Sequence, residues 1–270
     1  MNNLIFLDID GTILDASRGM PEISEKTKYA VKQLQGNGDY VLIASGRCKG
    51  MLGDQVLDLK PSGFVLCNGS YGEIENKPIY KSAFSPEAVE KIREAADKRN
   101  GFCILETIEN MFVNSLEIKA FQDFANSWGL CISHFSDRKL EGPYYISMIG
   151  FTDFSYFEGL EEELSEYADL APHNGFSSLD VNVKGMNKGV GVRKLSEYMK
   201  IPKENVYCFG DAMNDLEMLK EAGHPVMMAN SDKALEAYGF EKTGDVLDDG
   251  VYDYLVKHKL IKPMCVDKID

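Results

Sequence analysis

Several short runs of this chain are apolar almost without a break: LIFLDID (4–10), YVLIASG (40–46), FVLCNG (64–69), VYCFGD (206–211) and PVMMAN (225–230). None alternates polar with apolar residues, so each predicts a strand buried on both faces. Helical patterns lie between them. Over 24–35, Ala30, Val31 and Leu34 share one face, and Gly36 and Gly38 follow as stop signals. A shorter amphipathic helix is expected from about Met51 to Leu59. Strand and helix taking turns in this way predict an α/β fold, a doubly wound parallel sheet with helices on both sides.

The middle of the chain breaks the pattern. Residues 72–81 read as a hairpin, with Glu75-Asn76-Lys77-Pro78 as turn material. A helix (86–99), two short strands (102–107 and 110–115) and a helix ending near Trp128 follow. Then come the strand YYISMIGF (144–151), a helix over 154–167 and the strand SLDVNV (178–183). This order predicts a separate α+β unit over 82–184, inserted into a core made of 1–81 and 185–270. Beyond Asn187 the first pattern returns: a helix to Met199, VYCFGD, a helix from about Met213 to Ala222, and PVMMAN. A helix ending near Tyr238 and a last helix from Asp249 complete it.

Composition narrows the function classes. At 270 residues, 44% hydrophobic and 27% charged, the chain resembles an ordinary globular protein with a sizeable core. A net charge of -14 disfavours nucleic acid and anionic membrane surfaces as partners. The same field repels anionic substrates, so a phosphate site needs a metal, a lysine or a helix N-terminus close by. The cysteines (Cys48, Cys67, Cys103, Cys131, Cys208, Cys265) form no C-x-x-C pair and no zinc spacing, which predicts a reduced, cytoplasmic setting. His134, His173, His224 and His258 show no metal spacing either. The start, MNNLIFLDIDGT, lacks a signal peptide's basic region, and no apolar run approaches membrane-spanning length. No obligate protein partner is evident.

Asp8-Ile9-Asp10-Gly11-Thr12 stands at the carboxyl end of the first strand, the edge where ligands bind in open α/β sheets. Two carboxylates beside a glycine turn are costly to hold together without a cation. A hard divalent ion such as magnesium removes that cost; a plain turn with two aspartates is the alternative. Ser45-Gly46-Arg47 closes the second strand, Lys188 opens the helix of GMNKGVGVRKL, and Gly210-Asp211-Ala212-Met213-Asn214-Asp215 closes VYCFGD. In this order, D-x-D-G-T, serine, lysine and G-D-x-x-N-D, the chain resembles the haloacid dehalogenase-like phosphatase superfamily along essentially its whole length.

The resemblance implies a division of labour. Asp8 is the nucleophile and Asp10 the general acid and base. Magnesium is held by Asp8, the Asp10 carbonyl and Asp211. Ser45, the Gly46 amide and Lys188 bond phosphate, Asn214 contacts phosphate or substrate, and Asp215 orients Lys188 or a metal-bound water. Arg47 has two readings, a substrate contact or a partner for an acid at the junction between the two units. Two departures stand out. Serine replaces a common threonine in the second motif, and Cys67-Asn68-Gly69 replaces a common pair of asparagines, which loosens any role for Asn68.

The insertion falls between the second and third motifs, and its α-β-β-α, β-α-β-β order resembles the smaller α+β cap of the Cof-like, sugar-phosphatase-like subgroup. That implies a magnesium-dependent phosphatase acting on small phosphorylated metabolites, sugar phosphates first. A phosphomutase with the same aspartyl phosphate and a silent regulatory binding protein remain as alternatives.

Overall fold

The computed structural model describes residues 2–127, 130–138, 142–173 and 175–265. The chain opens with β1 (Leu4–Leu7), α1 (Glu25–Gly36), β2 (Tyr40–Ala44), the single turn α2 (Asp54–Leu57) and β3 (Gly63–Leu66). A hairpin of β4 (Tyr71–Ile74) and β5 (Lys77–Lys81) follows. Next come α3 (Pro86–Asp97), β6 (Phe102–Glu106), β7 (Met111–Val113), α4 (Lys119–Ser127) and β8 (Phe135–Ser136). After them stand β9 (Ile146–Gly150), α5 (Leu160–Leu164), β10 (Ala168–Pro172) and β11 (Ser178–Val183). The chain closes with α6 (Lys188–Met199), β12 (Val206–Gly210), α7 (Leu216–Glu221), β13 (His224–Met227), β14 (Glu241–Lys242) and α8 (Gly250–Lys257).

Two sheets result. The larger has the order β14-β13-β12-β1-β2-β3-β4-β5. It is parallel from β14 to β3, and β4 and β5 add antiparallel strands at one edge. Because β1 is central, its residues are buried on both sides. Ile5 and Leu7 face α1 and α8, while Leu4 and Phe6 face α6 and α7. This explains the unbroken apolar runs. Helix starts follow from capping: Ser24 Oγ accepts from Thr27 N at 3.1 Å, and Asn187 Oδ1 accepts from Val190 N at 3.0 Å. Each such cap stabilises its helix by roughly 1 kcal/mol.

The smaller sheet has the order β10-β11-β9-β6-β7-β8 and comes entirely from the middle of the chain. Its β6, β9 and β11 are antiparallel neighbours. One face, with Cys103, Leu105, Ile149, Leu179 and Val181, packs on α3 and α5. Over part of the other face, Phe121 and Phe124 of α4 pack against Phe102. The rest of that face meets the large sheet's strand ends, where Tyr71 and Tyr145 touch edge to face at 6.1 Å.

Several expectations need adjustment. The helix expected over 154–167 is a 3-10 turn at Phe154–Phe157 and the short α5, divided by Gly159 at φ +70. The segment 51–59 is likewise divided by extended Gly53, leaving only α2. The hairpin turn is two residues, Glu75 and Asn76, both at positive φ, so Lys77 and Pro78 belong to β5. Pro78 is tolerated there because β5 is an edge strand. The helix expected to end near Tyr238 is a 3-10 helix, and β8 and β14 are short strands the sequence pattern did not indicate. The helix end expected near Trp128, and Trp128 itself, lie outside the described residues.

Candidate active site

Asp8 follows β1, Ser45 follows β2 and Asp211 follows β12, so neighbouring parallel strands deliver all three to one edge. Lys188, the first residue of α6, reaches the same edge from the helix side. Its Nζ lies 2.6 Å from Asp8 Oδ1 and 2.6 Å from Asp215 Oδ1. Lys188 is 1% exposed and Asp215 0%. Burial alone would lower the lysine's pKa, but Asp215 and Asp8 outweigh it and hold the ammonium form. Asp215 is fixed on its other side as well, where Oδ2 accepts from Asp211 N at 3.0 Å and Ala212 N at 3.1 Å.

Asp8, Asp211 and Asp215 bring carboxylate oxygens within 4.8 Å of one another. Burial, then Asp215, push Asp8 up to about 7 against the pull of Lys188. Burial, then Asp8, push Asp211 up to about 9. One lysine among three carboxylates, two of them buried and Asp211 half-buried, leaves an excess of negative charge, and an all-oxygen donor set suits a hard divalent cation. Both Asp215 oxygens are already engaged, which leaves Asp8 and Asp211 as the carboxylates free to take a metal. Thr12 Oγ1 donates to Asp211 at 3.3 Å. Gly11 is required here: its φ is +81, and a Cβ would stand 2.1 Å from Asp211 Oδ2.

The remaining expected residues are spread more loosely. Asp10 stands apart from the carboxylate group, its side chain 57% exposed. Arg47 grips it with two bonds, Nε to Oδ2 at 3.0 Å and Nη2 to Oδ1 at 2.7 Å. In this structure Arg47 is thus paired with an acid, Asp10. Ser45 is buried, and its Oγ accepts from Arg47 N at 3.2 Å. Gly46 packs against Asn68, since a Cβ there would meet Asn68 Oδ1 at 3.0 Å. Asn214 is exposed, and its Nδ2 reaches Asn68 Oδ1 only at 3.5 Å.

Asn68 is the residue that sequence reasoning undervalued. It sits in the left-handed region at φ 46 and is buried, with Nδ2 donating to Asp180 at 2.9 Å and Asn182 at 3.0 Å. It thus ties the catalytic edge to β11 of the smaller sheet. His173, read from sequence as ordinary, stands 3.0 Å from Asp180. The period of two in SLDVNV carried a signal: Ser178, Asp180 and Asn182 must share a face. What that face meets is not written in the strand.

A parallel sheet with buried acids and a lysine at its carboxyl edge, overlain by an inserted second sheet, defines a class of hydrolase built to handle charged groups. The sequence profile of haloacid dehalogenase-like hydrolases matches residues 5–255. The chain belongs to that family, in its Cof-like subgroup, and is an enzyme of the phosphatase type. It is 29% identical over 261 residues to the putative phosphatase YkrA of Bacillus subtilis, covering 95% of this chain and 97% of that one. It is 26% identical over 268 residues to the 5-amino-6-(5-phospho-D-ribitylamino)uracil phosphatase YitU of the same organism, covering 94% and 97%. A crystal structure of a hypothetical protein from Geobacillus kaustophilus superposes with a TM-score of 0.85 at 27% identity, over 97% of this chain and 100% of that one. Among the described residues no helix is long and apolar enough to cross a membrane.

Proposed function

We propose that this enzyme is a magnesium-dependent phosphatase of small phosphorylated metabolites, sugar phosphates foremost, working through a phosphorylated Asp8. The observation that carries the reading is the buried Asp8–Lys188–Asp215 chain at the carboxyl edge of the large sheet. Lys188 holds Asp8 by one oxygen and fixes its direction. Asp8 attacks phosphorus, the ester P–O bond breaks, and Asp10 gives the departing oxygen its proton. Water then attacks the acyl phosphate while Asp10 takes a proton, releasing inorganic phosphate and restoring Asp8. Arg47 occupies both Asp10 oxygens, so the acid step requires that pair to open as substrate enters.

Ser45, the Gly46 amide and Lys188 are assigned to the phosphate oxygens, and Asn214 to the phosphate or the group behind it. Asp8, Asp211 and the Asp10 carbonyl are assigned to the metal. When bound, magnesium would add positive charge to that of Lys188 against the phosphoryl oxygens. Residues 82–184 are read as a cap that shields the site from water. YkrA and YitU, named as phosphatases, support this chemistry. All six cysteines are free, in keeping with a reducing, cytoplasmic setting.

The test is phosphate release from a panel of sugar phosphates by wild type and Asp8→Asn. The variant is nearly isosteric, so it is expected to keep the wild-type circular dichroism and lose turnover by at least a thousandfold, as about 4 kcal/mol of lost nucleophilic catalysis requires. Turnover within a tenth of wild type would remove Asp8 from the nucleophile's role.

A further inference from the structure

The face that the smaller sheet turns toward the catalytic edge is not uniformly apolar. Strand pairing sets Glu106, Ile146 and Asn182 in one row and Ile104, Met148 and Asp180 in the next. Asp180 and Asn182 are taken by Asn68. Glu106, at the end of β6, is 5% exposed, and its Oε2 has no hydrogen-bond partner among the described residues. The carboxylate lies against the thiol and backbone N–H of Cys48, with Asp180 and Arg47 close enough to act on its charge. Cys48 directly follows Arg47, the residue that grips Asp10. Nearby, Gly50 N donates to Ile108 O at 3.0 Å, so the loop after the serine motif and the loop after β6 are docked together.

A buried carboxylate oxygen without a donor is costly, on the order of 1–3 kcal/mol. Burial pushes Glu106 up to about 7, the two contacts from Cys48 opposing it only in part. Within the chain only the Cys48 contacts engage the carboxylate, and its sheet neighbours Ile104, Ile146 and Met148 are apolar. The unpartnered oxygen therefore calls for a donor from outside the chain, and Arg47, which grips Asp10, is close enough to act on its charge.

We propose that Glu106 reads the leaving group, its free oxygen accepting a hydrogen bond from a hydroxyl or amino group of the phosphorylated metabolite. This rests on the phosphatase reading and adds to it the substrate class: polyhydroxylated or amino-bearing leaving groups are selected over apolar ones. A substrate that supplies the donor removes the penalty of closing the smaller sheet over the site. A leaving group without one leaves that penalty in place.

The experiment compares kcat/KM of the magnesium-loaded full chain on a hexitol phosphate and on phenyl phosphate, for wild type, Glu106→Leu and Glu106→Gln. Glu106→Leu is expected to lower kcat/KM for the polyol ester about tenfold to a hundredfold, the scale of a lost hydrogen bond to a charged group. Phenyl phosphate is expected to change by less than about threefold. Glu106→Gln keeps an acceptor oxygen and is expected to recover part of the loss. Glu106→Leu also removes the contacts with Cys48, so a thermal melt checks that it folds, and Glu106→Gln, which keeps an acceptor oxygen, carries the comparison if it does not. Equal losses on both esters, or no loss on either, overturn this proposal alone. No phosphate released by wild type from either ester overturns the phosphatase reading and this proposal with it.

Discussion

An arginine that holds both oxygens of a carboxylate must release it before that carboxylate can act on a substrate. Arg47 holds Asp10 in this way, and the phosphate of an entering substrate offers the guanidinium a second anion. Asp10 then matters in proportion to how much help the leaving group needs. A sugar alkoxide needs a proton, whereas a nitrophenolate departs without one. Asp10→Asn is expected to slow phosphorylation of Asp8 by sugar phosphates by about a hundredfold or more. With p-nitrophenyl phosphate the first step survives and the second lacks its base, so a burst near one equivalent of nitrophenol per site precedes slow turnover. Equal losses with both substrates in single-turnover phosphorylation would assign Asp10 a structural role instead. The motifs brought Asp8, Asp10, Lys188 and Asp215 into view, but not which acid Arg47 would hold. Arg47 lies 37 positions from Asp10, and a side chain's choice between substrate and acid is a matter of rotamer and distance, which no motif encodes.

At the scale of elements, the site depends on how α6 meets the end of β3. Gly69 has φ +92, and a Cβ on it would stand 1.9 Å from Asn187 O, the residue that caps α6 and precedes Lys188. Backbone here rests on backbone, with no side chain able to yield. Gly69→Ala is expected to destabilise the fold by roughly 2 kcal/mol or more, from the positive φ and the overlap together. Any shift of Lys188 by about 1 Å would also lower kcat by about a hundredfold. Urea unfolding and steady-state kinetics measure the two effects. Gly36→Ala, at the end of α1 with no atom within 4 Å of the new Cβ, serves as the neutral control. The parallel strands and long helices were readable because burial on two faces and burial on one stripe leave different periods in sequence. Short elements escaped for the same reason: β8 and β14 have two residues each, too few for any period. The smaller sheet's order, β10-β11-β9-β6-β7-β8, was also hidden, because it is set by which strands pair across long separations.

For the whole molecule, charge is the governing quantity. A chain of net charge -14 gathers three carboxylates, two of them buried, at one point with a single lysine. In the metal-free protein Asp211 is pushed up to about 9, above its ordinary 3.8, so the folded state holds a proton there that the unfolded state releases. Stability from that group is present at low pH and falls as pH rises from about 4 toward 9. On the proposed assignment of Asp211 to the metal, magnesium would have to displace that proton, so its binding is expected to tighten with rising pH. Thermal melts of chelated protein titrated with magnesium at pH values from about 5 to 9 should show a Tm increase that grows with pH. A magnesium effect that is flat across that range would exclude Asp211 as a ligand.

The position of β1 also matters while the chain is being made. A ribosome releases β1 long before β12, its neighbour on one side, and Lys188 lies 180 positions beyond Asp8. Until those later residues emerge, the nascent chain carries Asp8, the proposed nucleophile, on an open strand edge without the lysine that bonds it. An unfinished chain thus lacks the assembled site and is exposed to strand-to-strand misassembly. Chaperone shielding of that edge during synthesis matters more for this topology than for one whose central strand pairs only with its sequence neighbours.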